Sequence, residues 1–166
     1  MSETATSGKE AKRRQRVFLV VVDDTEEMHV ALRYAARRAK ATGGRVDLLY
    51  VMEPPEFQHW SAIGDLMRAE QREDAERLLQ EYSSQVYDLS GSFPVLHLRE
   101  GSTREELLKL IAEDPSISIL VLGAGTGPEG PGPLVQHLVG KMSGRLRVPI
   151  TIVPGSLKGD ELDVLT

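Results

Sequence analysis

The amino-acid sequence predicts an α/β domain built on a parallel sheet. Three observations carry that reading. Short β-branched and aliphatic runs recur along the chain: VFLVVV, VDLLYV, ILVLG and VPITIV. Between them lie longer stretches whose apolar residues return at the i, i+3, i+4, i+7 spacing of a helix face. The first run is continuous and does not alternate, as in strands buried on both faces, which points to a central parallel strand. Alternating strands and helices of this kind are joined by right-handed crossovers.

Residues 1–15 are small, polar or charged and show no apolar period, so they are expected to be disordered; the basic residues Lys12, Arg13, Arg14 and Arg16 read as a solubilising flank. The first strand, 17–22, ends in Asp23-Asp24-Thr25. A helix follows, with Met28, Ala31, Leu32, Ala35 and Ala39 on one stripe. Asp24 or Thr25 can cap it, and Gly43-Gly44 ends it. The second strand, 45–52, is closed by Pro54-Pro55. A loop through Phe57, His59 and Trp60 leads to a long helix at about 62–89. The third strand, 94–99, alternates apolar and polar residues after its proline, as a strand near the edge does. Ser102 and Glu105 have the S-x-x-E spacing of a capping box, opening a helix with Leu107, Leu108 and Ile111 inward. A fourth strand at 117–122, a helix at about 134–146 and a fifth strand at 148–153 complete the domain, expected over 16–155. Residues 156–166 read as a weakly packed polar tail.

Bulk composition excludes several functions. At 166 residues the chain is long enough to bury a core as one domain. It has no cysteine, so no disulfide, thiolate metal site or cysteine nucleophile is possible. A net charge of −5 argues against nucleic acid as a partner, which calls for a clustered basic surface. No run approaches the roughly 18 apolar residues of a membrane span. The polar N-terminus lacks the apolar stretch of a secretory signal, and the expected location is cytoplasmic.

The segment 119–141, ILVLGAGTGPEGPGPLVQHLVGK, is the expected ligand edge. An apolar strand passing through glycines into a helix is how a parallel sheet brings backbone N–H groups to a phosphate. In an open sheet the ligand lies beyond the carboxyl ends of the strands, where strand order reverses. If the first and fourth strands are neighbours there, Asp23 and Gly123 face one crevice. Two glycine patterns fail on inspection. Gly125, Gly127 and Gly130 spell G-x-G-x-x-G, yet after the fourth strand, with Pro131-Gly132-Pro133 where a helix would begin and no acidic residue about twenty positions on. Gly140-Lys141 has the end of a P-loop, but Val135 and Met142 occupy two defining positions. Gly140 interrupts a helical pattern at about 1 kcal/mol relative to alanine. Close approach of a ligand and packing of the helix on the sheet both account for it. The four histidines, His29, His59, His97 and His137, show no metal-ligand spacing.

The remaining spacing, Gly127-x2-Gly130-x9-Gly140, resembles the nucleotide-binding signature G-x2-G-x9-G-[ST] of the universal stress protein family. The resemblance covers about 16–154. It includes the first strand ending Val22-Asp23, the second ending YVMEP, the REGS turn, the VLG end of the fourth strand and the closing VPITIV. It implies a five-stranded parallel sheet in the order 3-2-1-4-5 with helices on both faces, an adenine-nucleotide α-hydrolase-like open sandwich. It further implies a stress-response regulator that binds ATP or a related adenine nucleotide without true catalysis, with Mg2+ or Mn2+ held through the phosphates. By position it implicates Asp23 and Val51 at the adenosine and Gly127, Gly130 and Gly140 at the phosphates, with Lys141 expected beside them and Gly123 counted in the same nucleotide site. Lys141 stands where the family has Ser or Thr, and Gly123 occupies the place directly after strand four where the motif usually begins. A homodimer through the last strand, by Val148, Ile150 and Ile152, follows from an unpaired hydrophobic edge. The alternative is a dimeric interaction module of the same family that binds no nucleotide.

Overall fold

The computed structural model describes residues 14–54 and 61–166. Five parallel strands form one sheet: β1 (Val17–Val21), β2 (Arg45–Met52), β3 (Val95–Glu100), β4 (Ile119–Ala124) and β5 (Ile150–Pro154). They lie in the order β3-β2-β1-β4-β5, as the resemblance implies. The helices are α1 (Glu26–Thr42), α2 (Ser61–Ser90), α3 (Thr103–Glu113), α4 (Pro133–Gly140) and α5 (Gly159–Leu165). The expected loop residues Phe57, His59 and Trp60 lie outside the described residues.

The unbroken apolar run of β1 is explained by its position. Phe18, Val20 and Val22 enter one core with α1, α2 and α5, while Val17, Leu19 and Val21 enter a second core with α3 and α4. Each fully buried Val or Leu contributes about 1.5–3 kcal/mol by leaving water. β3, at the edge, is only partly buried along its length, in keeping with its alternating sequence. Thr25 is the N-cap of α1, accepting from the Met28 N–H at 3.3 Å, and Gly43 ends the helix at φ 66°.

Four elements differ from expectation. The Ser102 hydroxyl makes no cap hydrogen bond, so the capping box does not form. The Glu53 carboxylate, just beyond β2, replaces it, accepting from Thr103 N at 3.3 Å and Thr103 Oγ1 at 3.1 Å. α4 stops at Gly140 and does not reach 146; a Cβ added at Gly140 would meet nothing within 4 Å, so packing on the sheet does not account for this glycine. The chain then turns, and Arg147 reaches α3, donating to Ile111 O at 2.7 Å and Asp114 O at 3.0 Å. Carbonyls at a helix C-terminus lack an internal partner, and Arg147 supplies one. β5 begins at Ile150, which leaves Val148 buried in the second core. Finally, residues 159–165 form α5, with Leu162 buried in the first core and Asp163 paired with Arg37 of α1. Among the described residues no helix is long and apolar enough to cross a membrane.

Candidate functional site

Strand order reverses between β2-β1 and β1-β4, so the loops leaving β1 and β4 part company at the carboxyl edge of the sheet. A cleft of about 770 Å³ opens there, within the range of small-ligand sites. Its floor is Val21 and Val22 at the end of β1 with Tyr50 and Val51 at the end of β2. Its rim carries Asp23, Asp24, Glu53 and Arg104, and Pro133 and Leu134 open α4 along one side. A smaller adjoining hollow of about 230 Å³ runs between the start of α1 and α4, lined by Asp23, Gly123 and Gly132 among others.

Asp23 is placed by its neighbours. Its Oδ1 accepts from Thr25 N at 2.9 Å and from Thr25 Oγ1 at 2.5 Å, an Asx turn that leads the chain into α1. Its carbonyl accepts from the Tyr82 hydroxyl at 3.2 Å, which ties the turn to α2. Oδ2 accepts no hydrogen bond from the described residues, so Asp23 keeps an acceptor facing solvent at the rim. Burial, followed by the charges of Asp24, Asp74 and Asp23, raises the Tyr50 phenol above its ordinary value, so it stays protonated and can donate. Thr25 and Thr103 both place hydroxyls on carboxylates, and both pairs serve helix starts.

Gly123 has a mechanical reason to be glycine. A Cβ there would sit 2.2 Å from Glu27 O, so only glycine lets the first turn of α1 press against β4. The family-motif glycines behave otherwise. Gly130 N donates to Gly127 O at 3.1 Å, closing a turn over Pro128 and Glu129, and Gly125 N donates to Pro131 O at 3.2 Å. Gly127, Gly130, Gly140 and Lys141 line neither the cleft nor the hollow. Lys141 is the C-cap of α4 and is exposed.

A second polar cluster lies towards the opposite edge of the sheet. Asp47 is fully buried on β2, accepting from Arg45 Nε at 2.7 Å, with His97 Nε2 at 2.9 Å. Asp114 stands near, held below the usual carboxylate range first by the Ser116 hydroxyl that donates to it. Asp47, His97 and Asp114 bring their ligand atoms within 4.8 Å of one another, and among the described residues no other three-ligand group does so. Among the described residues, the carboxylates of the cleft form no such three-ligand group.

The model of the universal stress protein family matches residues 15–146. The chain belongs to that family. Solved universal stress proteins share its fold: UspA from Lactobacillus plantarum is 15% identical at a TM-score of 0.70, covering 85% of this chain and 98% of that one. A universal stress protein in complex with cAMP is 15% identical at 0.61, covering 86% and 99%. The universal stress protein from Archaeoglobus fulgidus in complex with dAMP is 17% identical at 0.53, covering 83% and 95%. No curated protein matches the sequence.

Within this universal stress protein domain, the cleft unites Asp23 with Val51, and the hollow unites Asp23 with Gly123. Val148 is buried, Ile150 partly so, and Ile152 is 39% exposed on the free edge of β5. Tyr50, Glu53, Thr103 and Arg104 were not singled out by sequence. The signal for Tyr50 and Glu53 was positional, since residues at the carboxyl end of a parallel strand arrive at this one edge, whereas Thr103 and Arg104 depend on where α3 starts.

Proposed function

We propose that this universal stress protein holds an adenine nucleotide in the cleft and acts as a cytoplasmic stress-response regulator without turning its ligand over. The observation that carries the reading is the cleft itself, at the strand-order reversal, with Asp23 presenting a free carboxylate oxygen beside the floor of Val21, Tyr50 and Val51. A carboxylate acceptor next to an apolar floor suits a ribose hydroxyl and a purine. Similar structures in complex with cAMP and dAMP support an adenine ligand. The fuller form of the proposal is ATP, with Mg2+ or Mn2+ carried in on the phosphates. Asp24 or Glu53 at the rim would offer a hard oxygen ligand of the kind such ions prefer, with the phosphates and water completing the coordination.

Thermal shift with adenosine, AMP, cAMP, ADP and ATP tests this directly, because a ligand that binds only the folded state raises the midpoint with concentration. A concentration-dependent rise that Asp23→Ala weakens is the expected result. No shift with any of them at millimolar concentration refutes it.

The second reading, an interaction module without a ligand, is favoured by the glycine loop being folded upon itself. Both readings include a homodimer through β5, whose outer edge is unpaired in the protomer and exposes Ile152. Ile152→Lys is expected to give folded monomer in sedimentation, and wild-type protein that is already monomeric at micromolar concentration removes the dimer.

A further inference from the structure

We infer that the cleft discriminates against phosphate charge, preferring adenosine monophosphate-class ligands to the free triphosphate. This rests on the reading that the cleft takes an adenine nucleotide and narrows which one. Its first support is the charge of the lining. Asp23, Asp24 and Glu53 are the acids that face the cleft, and among the described lining residues Arg104 is the single cation. One guanidinium suffices for one phosphate. A triphosphate would bring further negative charge towards carboxylates with nothing to offset it.

The second support is independent and lies in the backbone of the β4–α4 connection. A phosphate-binding loop works by pointing free N–H groups at the anion. Between Gly125 and Pro133 this chain carries Pro128, Pro131 and Pro133, which have no N–H to give. The amides of Gly125 and Gly130 are already donated to Pro131 O and Gly127 O. Five of nine backbone positions are thus closed to an anion, and Glu129 adds a negative side chain at the tip of the loop. Lys141, the residue with charge to help, caps the far end of α4 outside the cleft.

Free ATP carries about two more negative charges than AMP at neutral pH. With each such charge facing a rim carboxylate through water, the expected loss is roughly two- to threefold per pair, so about four- to ninefold in all.

Calorimetric titration of the full chain with adenosine, AMP, ADP and ATP, each with and without Mg2+ and at low and high salt, tests the inference. Without Mg2+ at low salt, AMP should bind about four- to ninefold more tightly than ATP, with ADP between them. Mg2+ or high salt should shrink the gap, since both screen the repulsion. Asp24→Asn should bring the ATP-to-AMP ratio closer to one by about threefold. ATP binding as tightly as AMP without Mg2+, or a ratio unmoved by Asp24→Asn, overturns the charge preference while leaving nucleotide binding in place. Failure of all four ligands to bind overturns the nucleotide reading, and the preference falls with it.

Discussion

Gly123→Ala separates a glycine required by packing from glycines that merely match a motif. The added Cβ would lie 2.2 Å from Glu27 O, 2.5 Å from Glu27 C and 3.0 Å from Met28 N. All three are backbone atoms of the first turn of α1, so no side chain can swing aside. Ordinary contact begins at 3.4 Å, and the shortfall to Glu27 O is about 1.2 Å. α1 must retreat from β4 by about that distance, which places the substitution at the upper end of the overpacking range, about 3 kcal/mol. For a chain of this size the midpoint of thermal unfolding should fall by roughly 6–12 °C. Gly127→Ala and Gly140→Ala are the controls: each site is open, and neither glycine has positive φ. Their midpoints should stay within about 2 °C of the parent, since unstrained surface changes cost about 0.5 kcal/mol or less. Circular dichroism melts on the three variants decide the matter. A Gly123→Ala protein that melts with the parent refutes the close-packing argument. Nucleotide affinity should fall in Gly123→Ala, because α1 carries the turn that positions Asp23, and should persist in Gly127→Ala. Affinity lost in Gly127→Ala at unchanged stability would move the phosphates back to the glycine loop.

Removing the buried carboxylate with Asp47→Ala takes from Arg45 and His97 their shared buried partner, and urea unfolding should show a loss of about 3 kcal/mol. Asp114 is held below its ordinary value, foremost by the Ser116 hydroxyl, so its contribution to stability is fully present above the unfolded-state pKa of about 3.9 and is lost as pH falls through the lower folded-state value. Ser116→Ala should therefore lower stability at neutral pH and flatten its decline below about pH 4, as read from denaturant midpoints across that range. Leu162→Ala should cost about 2–4 kcal/mol, because the residue is 1% exposed; an unchanged midpoint would show that residues 156–166 are the loose tail their sequence resembles.

Much of the sheet was legible because each strand carries its own pattern: continuous where both faces are covered, as at Val17–Val21, and alternating at the edge, as in β3. What failed was information held elsewhere in the chain. Met142 and Leu146 continue the helical spacing of Leu138, and both do pack on the second core, but from turns and not from a helix. Periodicity reports which residues face inward, and not that the backbone between them is helical. The start of α3 looked self-sufficient, yet its cap is a carboxylate fifty residues earlier, Glu53. In the cleft, Asp23 and Val51 were legible as residues at strand ends. Arg104 was not, because its place depends on where α3 starts relative to β2. The glycine spacing was legible as a string, but three prolines and two internal hydrogen bonds decide how that string folds.

The two sides of the cleft are built differently, and this bears on how a ligand could signal. The Asp23 turn is fixed from several directions: by Thr25 within the turn, by the Tyr82 hydroxyl from α2, and by the pressure of Glu27 on Gly123 and Gly155. A ligand held there meets a rigid wall, and its binding energy appears as stability rather than movement. The opposite wall is joined through side-chain hydrogen bonds at the surface. Glu53 holds the start of α3 through Thr103, Gln71 Nε2 donates to Glu53 O at 3.0 Å, and all of these contacts are exposed. An anion that draws Arg104 inward, or a cation that competes for the Glu53 carboxylate, acts on the hydrogen bonds that tie the cap of α3 to the end of β2. A conformational readout of ligand binding therefore belongs on the α3 side, and α1 serves as the fixed surface against which it is measured.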